Sequence, residues 1–243
     1  MRAETRPAFY ALAPGSWRDY VTLLHAPYTL WHLSYVAIGA ALAPEWRPAR
    51  FGLVLGAFFL GVGIGAHALD ELHGRPLGTR IPARTLAAVA GVSVAAATGI
   101  GIGAAVAFDL WLLAFVAFGA FVVYAYNLEL FGGRVHTDVW FALAWGAFPL
   151  LTAYFTAAGR IRVEAVLAAL FAALHSFAQR RLSTQVRLVR RRVTSVSGTI
   201  ELKDGSREAI TAETLLRVPE TALRTLAAAT VVLAATLVVL RVS

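Results

Sequence analysis

The run His67-Ala68-Leu69-Asp70-Glu71-Leu72-His73-Gly74-Arg75-Pro76-Leu77-Gly78-Thr79-Arg80-Ile81-Pro82 crowds two carboxylates, two imidazoles and two guanidiniums at the end of a long apolar stretch, Phe51 to Ala66. Ionisable groups are expensive to place at membrane depth, so such a cluster is a candidate for chemistry. On a continuing helix His67, Asp70 and His73 recur every three residues, and Glu71 follows His67 at i, i+4. Carboxylates so placed can hold Mg²⁺ through one or two oxygens and leave its remaining positions to substrate phosphates. The proline-stiffened loop that follows offers Arg75 and Arg80, whose planar forks suit bidentate phosphate contacts. The competing structural role for Asp70 and Glu71 is simple pairing with those two arginines.

Two further constellations lie along the chain. Tyr126, Asn127 and Glu129 fall just before Gly132-Gly133, and Thr137 or Asp138 can cap the next helix. His175, Gln179, Arg180 and Arg181 close a later apolar run that carries no carboxylate, and Arg190-Arg191-Arg192 beyond it has the pattern of a headgroup-facing stripe. Trp140, Phe141, Trp145 and Phe148 fit an interfacial belt or the lining of an isoprenoid tunnel. The six histidines (His25, His32, His67, His73, His136 and His175), with Asp70, Glu71 and Glu129, raise the alternative of a His/carboxylate membrane metalloenzyme, although no paired histidine boxes are present.

These residues need elements to hold them, and composition says what kind. Of 243 residues 58% are hydrophobic and 15% charged, against about 25% charged in soluble domains. Mean hydropathy is +0.67. The expectation is an all-α integral membrane protein. Its net charge of +8 is explained by arginines at one membrane face rather than by nucleic acid, which is not expected as a partner. Cysteine is absent, which excludes disulfides and thiolate chemistry. The first twenty residues lack an apolar core and a small-residue cleavage pattern, so no cleaved signal is expected.

Seven candidate spans follow from runs of about 20 apolar residues: Val21–Ala43, Phe51–Leu69, Arg84–Phe108, Leu110–Leu128, Asp138–Ala158, Val163–Phe177 with a helical extension, and Thr221–Val242. Glycines 91, 99, 101 and 103 favour close packing of the third, and Asp109 marks a tight hairpin to the fourth. With seven spans, 17 of the 22 Lys and Arg residues lie on the side of the N-terminus, counting Arg2, Arg6 and Arg18 there. That bias orients the N-terminus to the cytoplasm and the C-terminus outside the cell membrane. Residues 1–182 are expected to form the bundle core, 183–220 a cytoplasmic cap and 221–243 the last span. Within the cap, alternation from Val193 to Ile210 about Lys203-Asp204-Gly205-Ser206 predicts a hairpin. Ala212-Glu213-Thr214 then leads into an amphipathic stretch expected to break at Pro219.

In this order the motifs resemble the UbiA superfamily of intramembrane prenyltransferases. Ala66-His67-Ala68-Leu69-Asp70, then Arg75-Pro76 and Thr79-Arg80-Ile81-Pro82, is similar to that family's first aspartate motif and its Arg-Pro-x-Arg-Pro-Ile-Pro loop. His25-Ala26-Pro27-Tyr28-Thr29, Tyr126-Asn127 and Trp145-Gly146 with Pro149 extend the likeness over about residues 20–185. The resemblance implies a bundle around a cavity that opens to the cytoplasm and to lipid. It implies an isoprenyl diphosphate held by Mg²⁺, loss of diphosphate, and alkylation of a lipid or aromatic acceptor. Asp70, with Glu71, would then be the metal-bridging carboxylates. Arg75, Arg80, Arg180 and Arg181 would neutralise diphosphate, with His67, His175 and Gln179 beside them. Tyr126 and Asn127 would orient leaving group or acceptor. The sequence departs from the family at His67 and Gly74, where aspartates are usual. It departs again near His175–Gln185, where Arg180, Arg181 and Arg187 stand in place of a second acidic motif, and it has seven spans rather than nine. A non-catalytic prenyl-lipid-binding protein on the same scaffold is the alternative those departures support.

Overall fold

A computed structural model describes residues 6–243; Arg2, counted above toward orientation, lies outside the described residues. Its helices are α1 (Ser16–Leu23), α2 (Ala26–Leu42), α3 (Pro48–Leu72), α4 (Ala83–Ala107), α5 (Leu112–Asn127), α6 (Asp138–Ala158), α7 (Val163–Arg192) and α8 (Ala212–Val242). α3, α4, α6 and α8 are long and apolar enough to cross a membrane, and α5 is apolar but only 16 residues long.

The breaks follow local chemistry. The first candidate span divides at His25, which sits in the left-handed region at φ 45°, while Pro27 opens α2. Pro is well tolerated in a first helical turn because the N–H it lacks has no partner there anyway. The residues before it therefore become α1, a separate short helix. Asp109 Oδ1 accepts from the Trp111 amide at 2.9 Å and closes the hairpin between α4 and α5. Thr137 caps α6 by accepting from the Trp140 amide at 3.2 Å.

Two expectations change beyond residue 182. α7 continues to Arg192 and α8 begins at Ala212, so the stretch between the two helices is shorter than 183–220. Its hairpin is short: β1 (Thr199–Glu201) pairs antiparallel with β2 (Arg207–Ala209), Ile200 opposite Glu208. The expected break at Pro219 does not occur. A capping box at Thr211 and Thr214 starts α8 upstream. Buried Leu216, Glu220 and Leu223 then hold the first turns in place through the proline.

α2 and α6 form the middle of the bundle. α3, α4 and α5 pack on one side of them, α7 and α8 on the other. Each side has its own apolar cluster, one around Leu86, Val122 and Trp145, the other around Trp31, Leu150 and Leu223. Backbone contact at two glycines sets the spacing. A Cβ on Gly146 would stand 2.5 Å from the Ala172 carbonyl of α7, and one on Gly39 would strike the Leu150 carbonyl of α6.

α3 and α6 each contain a π-helical segment, Phe59–Ala66 and Ala142–Ala147. Wide turns of this kind are frequent at functional sites, because the extra residue re-aims the side chains around it. His67 and Asp70 follow the first, and Trp145 belongs to the second.

Candidate functional site: a polar chamber beside an apolar one

One end of the bundle holds a polar chamber of about 90 Å³. Asp70 and His67 reach it from the end of α3, Tyr126 and Asn127 from the end of α5. His25, Tyr28 and His32 come from α2 and the residue before it, and His136, Phe141 and Trp145 from α6 and its approach. α7 contributes Gln179, Arg180, Ser183, Arg187 and Arg191, and residues Pro7 to Tyr10 roof the space. Behind Trp145 lies a second, apolar cavity of about 110 Å³ among α3, α4, α5 and α6, lined by Phe58, Ala97, Gly101, Phe115, Gly119 and Phe148 among others. Trp145 borders both spaces.

Hydrogen bonds fix which ring nitrogen carries a proton in three of the chamber's imidazoles. His67 Nδ1 is 3.1 Å from the Gly63 carbonyl, His32 Nδ1 2.8 Å from that of Trp145, and His136 Nδ1 2.9 Å from that of Tyr126. A carbonyl can only accept, so Nδ1 carries the proton in each. That leaves His136 Nε2 as an acceptor, and Arg180 donates to it at 3.0 Å. His25 and His67 stack, their centroids 4.1 Å apart. The Tyr126 ring lies between those of His136, at 4.3 Å, and Trp145, at 4.5 Å.

The arginines differ in how far they are compensated. Arg180 donates to Asp138 Oδ1 at 3.3 Å and stands 5.5 Å over the Phe141 ring. Arg191 donates to the Pro7 carbonyl at 3.2 Å, fastening the roof. Arg187 has only Thr184 Oγ1, at 3.1 Å. Among the described residues no carboxylate pairs with it. Burial, reinforced by the like charges of Arg180 and Arg191, pushes Arg187 down to about 10. It stays cationic at neutral pH and short of a counter-charge. In the roof, burial raises the Tyr10 phenol well above its ordinary range, which keeps it neutral, 3.0 Å from His25 Nδ1.

Three buried polar atoms have no partner among the described residues: Tyr126 Oη, His25 Nε2 and Gln179 Oε1. All three belong to side chains of the chamber wall. Orphaned atoms of this kind are rare in native proteins and call for a ligand or ordered water.

Of the residues singled out in the sequence, Asp70, His67, Tyr126, Asn127, Gln179 and Arg180 meet in this chamber. Glu71 does not. It is fully buried and accepts from the Leu77 amide at 2.9 Å and from the Thr79 amide and hydroxyl, each at 2.8 Å. One residue further round the helix than Asp70, it anchors the loop instead. Arg75 is folded into that loop, donating to the Thr79 carbonyl at 3.2 Å and that of Ile81 at 2.5 Å. Arg80 is exposed, and its amide donates to Asp19 Oδ2 of α1 at 2.9 Å. Arg181 lies outside, paired with Asp138 at 3.1 Å. His175 is 3.0 Å from Tyr35 Oη in a separate network with Trp31 and Ser176.

Sequence reasoning missed Tyr10, named His25 and His32 only as metal-ligand alternatives, noted Arg187 only as a departure from the family motif, and assigned Arg191 to a headgroup stripe. For Arg187 and Arg191 a signal existed: with Gln179, Arg180 and Ser183 they recur at three-, four- and seven-residue spacings, one face of a helix. Arg190, assigned to a headgroup stripe, pairs with Glu220 of α8.

The residues present do not fit a magnesium ion. Asp70 is the chamber's one carboxylate, Glu71 spends both oxygens on the loop, and three guanidiniums face the same space. Nor do three His, Asp or Glu side chains come together anywhere among the described residues in a way that could hold a metal. No family model, curated protein or solved structure matches the chain.

Proposed function

We propose that this chain is a UbiA-like membrane transferase that moves an isoprenyl group from a diphosphate donor to a lipid or aromatic acceptor. The carrying observation is the pair of cavities that share Trp145 as a wall: a cationic polar chamber beside an apolar one suits an amphiphile with an anionic head and a hydrocarbon tail. On this reading the arginine-rich end of the bundle faces the cytoplasm, the N-terminus lies there, and the C-terminus lies outside.

The chemistry would run as follows. The allylic C–O bond breaks and its electron pair leaves with the diphosphate, whose growing charge is met by the guanidiniums in a space shielded from water. The allylic cation forms beside the faces of Tyr126, Phe141 and Trp145, where ring quadrupoles favour it. The acceptor's nucleophilic atom bonds to that carbon, and the proton it releases passes to Asp70.

The test is to incubate the purified chain in detergent with farnesyl diphosphate and membrane lipid extract, reading pyrophosphate release and prenylated product. Release that depends on Asp70 is expected; no release, with no isoprenyl lipid bound, refutes the reading. Glu71's commitment to the loop favours one other reading, a protein that binds prenyl lipid without turning it over. Retention of intact farnesyl diphosphate with no pyrophosphate released would select it.

A further inference from the structure

We infer that the polar chamber binds a phosphate or diphosphate group directly, through the guanidiniums of Arg180, Arg187 and Arg191, with no divalent cation between. The inference rests on the transferase reading for the identity of its ligand as a lipid head, and on the chamber alone for the anion.

A magnesium-bridged site gathers carboxylates, because the ion needs anionic oxygens and itself supplies the positive charge toward phosphate. This chamber reverses that balance. Three guanidiniums face one carboxylate, and Arg187 has no carboxylate partner at all. Arg187 and Arg191 line the same chamber as Asp70. A half-buried charge lining a chamber with no counter-charge favours a ligand of the opposite sign.

Two of the three orphaned atoms suit the same ligand. The Tyr126 hydroxyl can donate to a phosphoryl oxygen, and His25 Nε2 can do so when Tyr10 donates to its Nδ1. The second carboxylate that a metal would need is withheld by three hydrogen bonds from the loop. Asp70 is then a like charge to the bound anion, placed for proton acceptance and not for metal bridging.

That sign difference makes the idea testable by calorimetry on the full chain in detergent, with inorganic pyrophosphate as probe, in EDTA and again in excess Mg²⁺. Binding in EDTA, little changed by Mg²⁺, is expected. R187Q should weaken it by about tenfold or more, since a hydrogen bond to a charged group is removed, and R187K should restore part of the loss. D70N should tighten binding several-fold in a guanidinium site, by removing repulsion, and weaken it in a metal-bridged one. Binding that appears only with Mg²⁺, or that D70N weakens, overturns the inference and leaves the transferase reading standing. No pyrophosphate binding in either condition sinks both. A farnesyl diphosphate arm separates the sources: tighter binding than pyrophosphate supports a lipid head, and equal binding supports the anion site while refuting the lipid donor.

Discussion

Replacing Glu71 with glutamine separates a loop anchor from a metal ligand. The carboxylate accepts three hydrogen bonds at 2.8–2.9 Å in a fully buried position. A glutamine amide has one accepting oxygen, so whichever way it lies its NH₂ group confronts a backbone N–H, of Leu77 or of Thr79. One buried donor left unsatisfied costs about 1–3 kcal/mol. The bonds that survive lose their charge assistance, worth about 1 kcal/mol each. The expected destabilisation is about 3 kcal/mol, readable as an earlier unfolding midpoint in mixed-detergent titration and as faster proteolysis within residues 74–82. Asp70 accepts no hydrogen bond among the described residues, so D70N should unfold much closer to wild type. An E71Q protein as stable as wild type, with pyrophosphate binding abolished, would refute the reasoning and return Glu71 to the site.

Ala97 lines the apolar cavity at a distance from every polar residue of the chamber. A97F should abolish the affinity gained from a farnesyl tail while leaving inorganic pyrophosphate binding within about twofold, as calorimetry with both probes will show. Arg190 and Glu220 join α7 to α8, and their side chains are only 15% and 10% exposed. E220A should therefore destabilise by about 3 kcal/mol, the order found when one partner of a buried pair is removed, measured by the same detergent titration. The π segment of α3 holds one residue more than α-helical turns would. Deleting Ile64 should let it close into α-helix with Glu71 still facing its loop. Deleting Leu55 from the regular part should turn everything after it by about 100° and unfold the loop, as proteolysis will report; equal damage from both deletions would contradict the assigned role of the π turn.

What could be read from the chain alone follows from the range of the forces involved. Apolar runs, the Asp109 turn, the Thr137 cap and the hairpin about Asp204-Gly205 are local signals, and each has its counterpart in the fold. Where tertiary contact outweighs a local signal, the reading from sequence went astray. Pro219 should stop a helix on local grounds, yet Leu216, Glu220 and Leu223 are buried against α7 and carry α8 through it.

The candidate site divides along the same line. Asp70 and Glu71 are neighbours of similar chemistry, and no pattern in the sequence says which one faces the chamber. That is decided by about 100° of helix rotation after a π turn, whose only trace in the sequence is the glycine spacing at Gly61, Gly63 and Gly65. Arg187 and Arg191 look like part of a solvated basic stripe because their burial comes from distant segments, the roof at Pro7 to Tyr10 and the ends of α3 and α5. The same partners turn a run of arginines into a charged wall. A cation on a solvated stripe is screened and contributes little. Half-buried in a chamber that holds one carboxylate, the same group favours an anion. The three arginines and the single carboxylate are therefore two aspects of one site, whose positive charge is built from side chains.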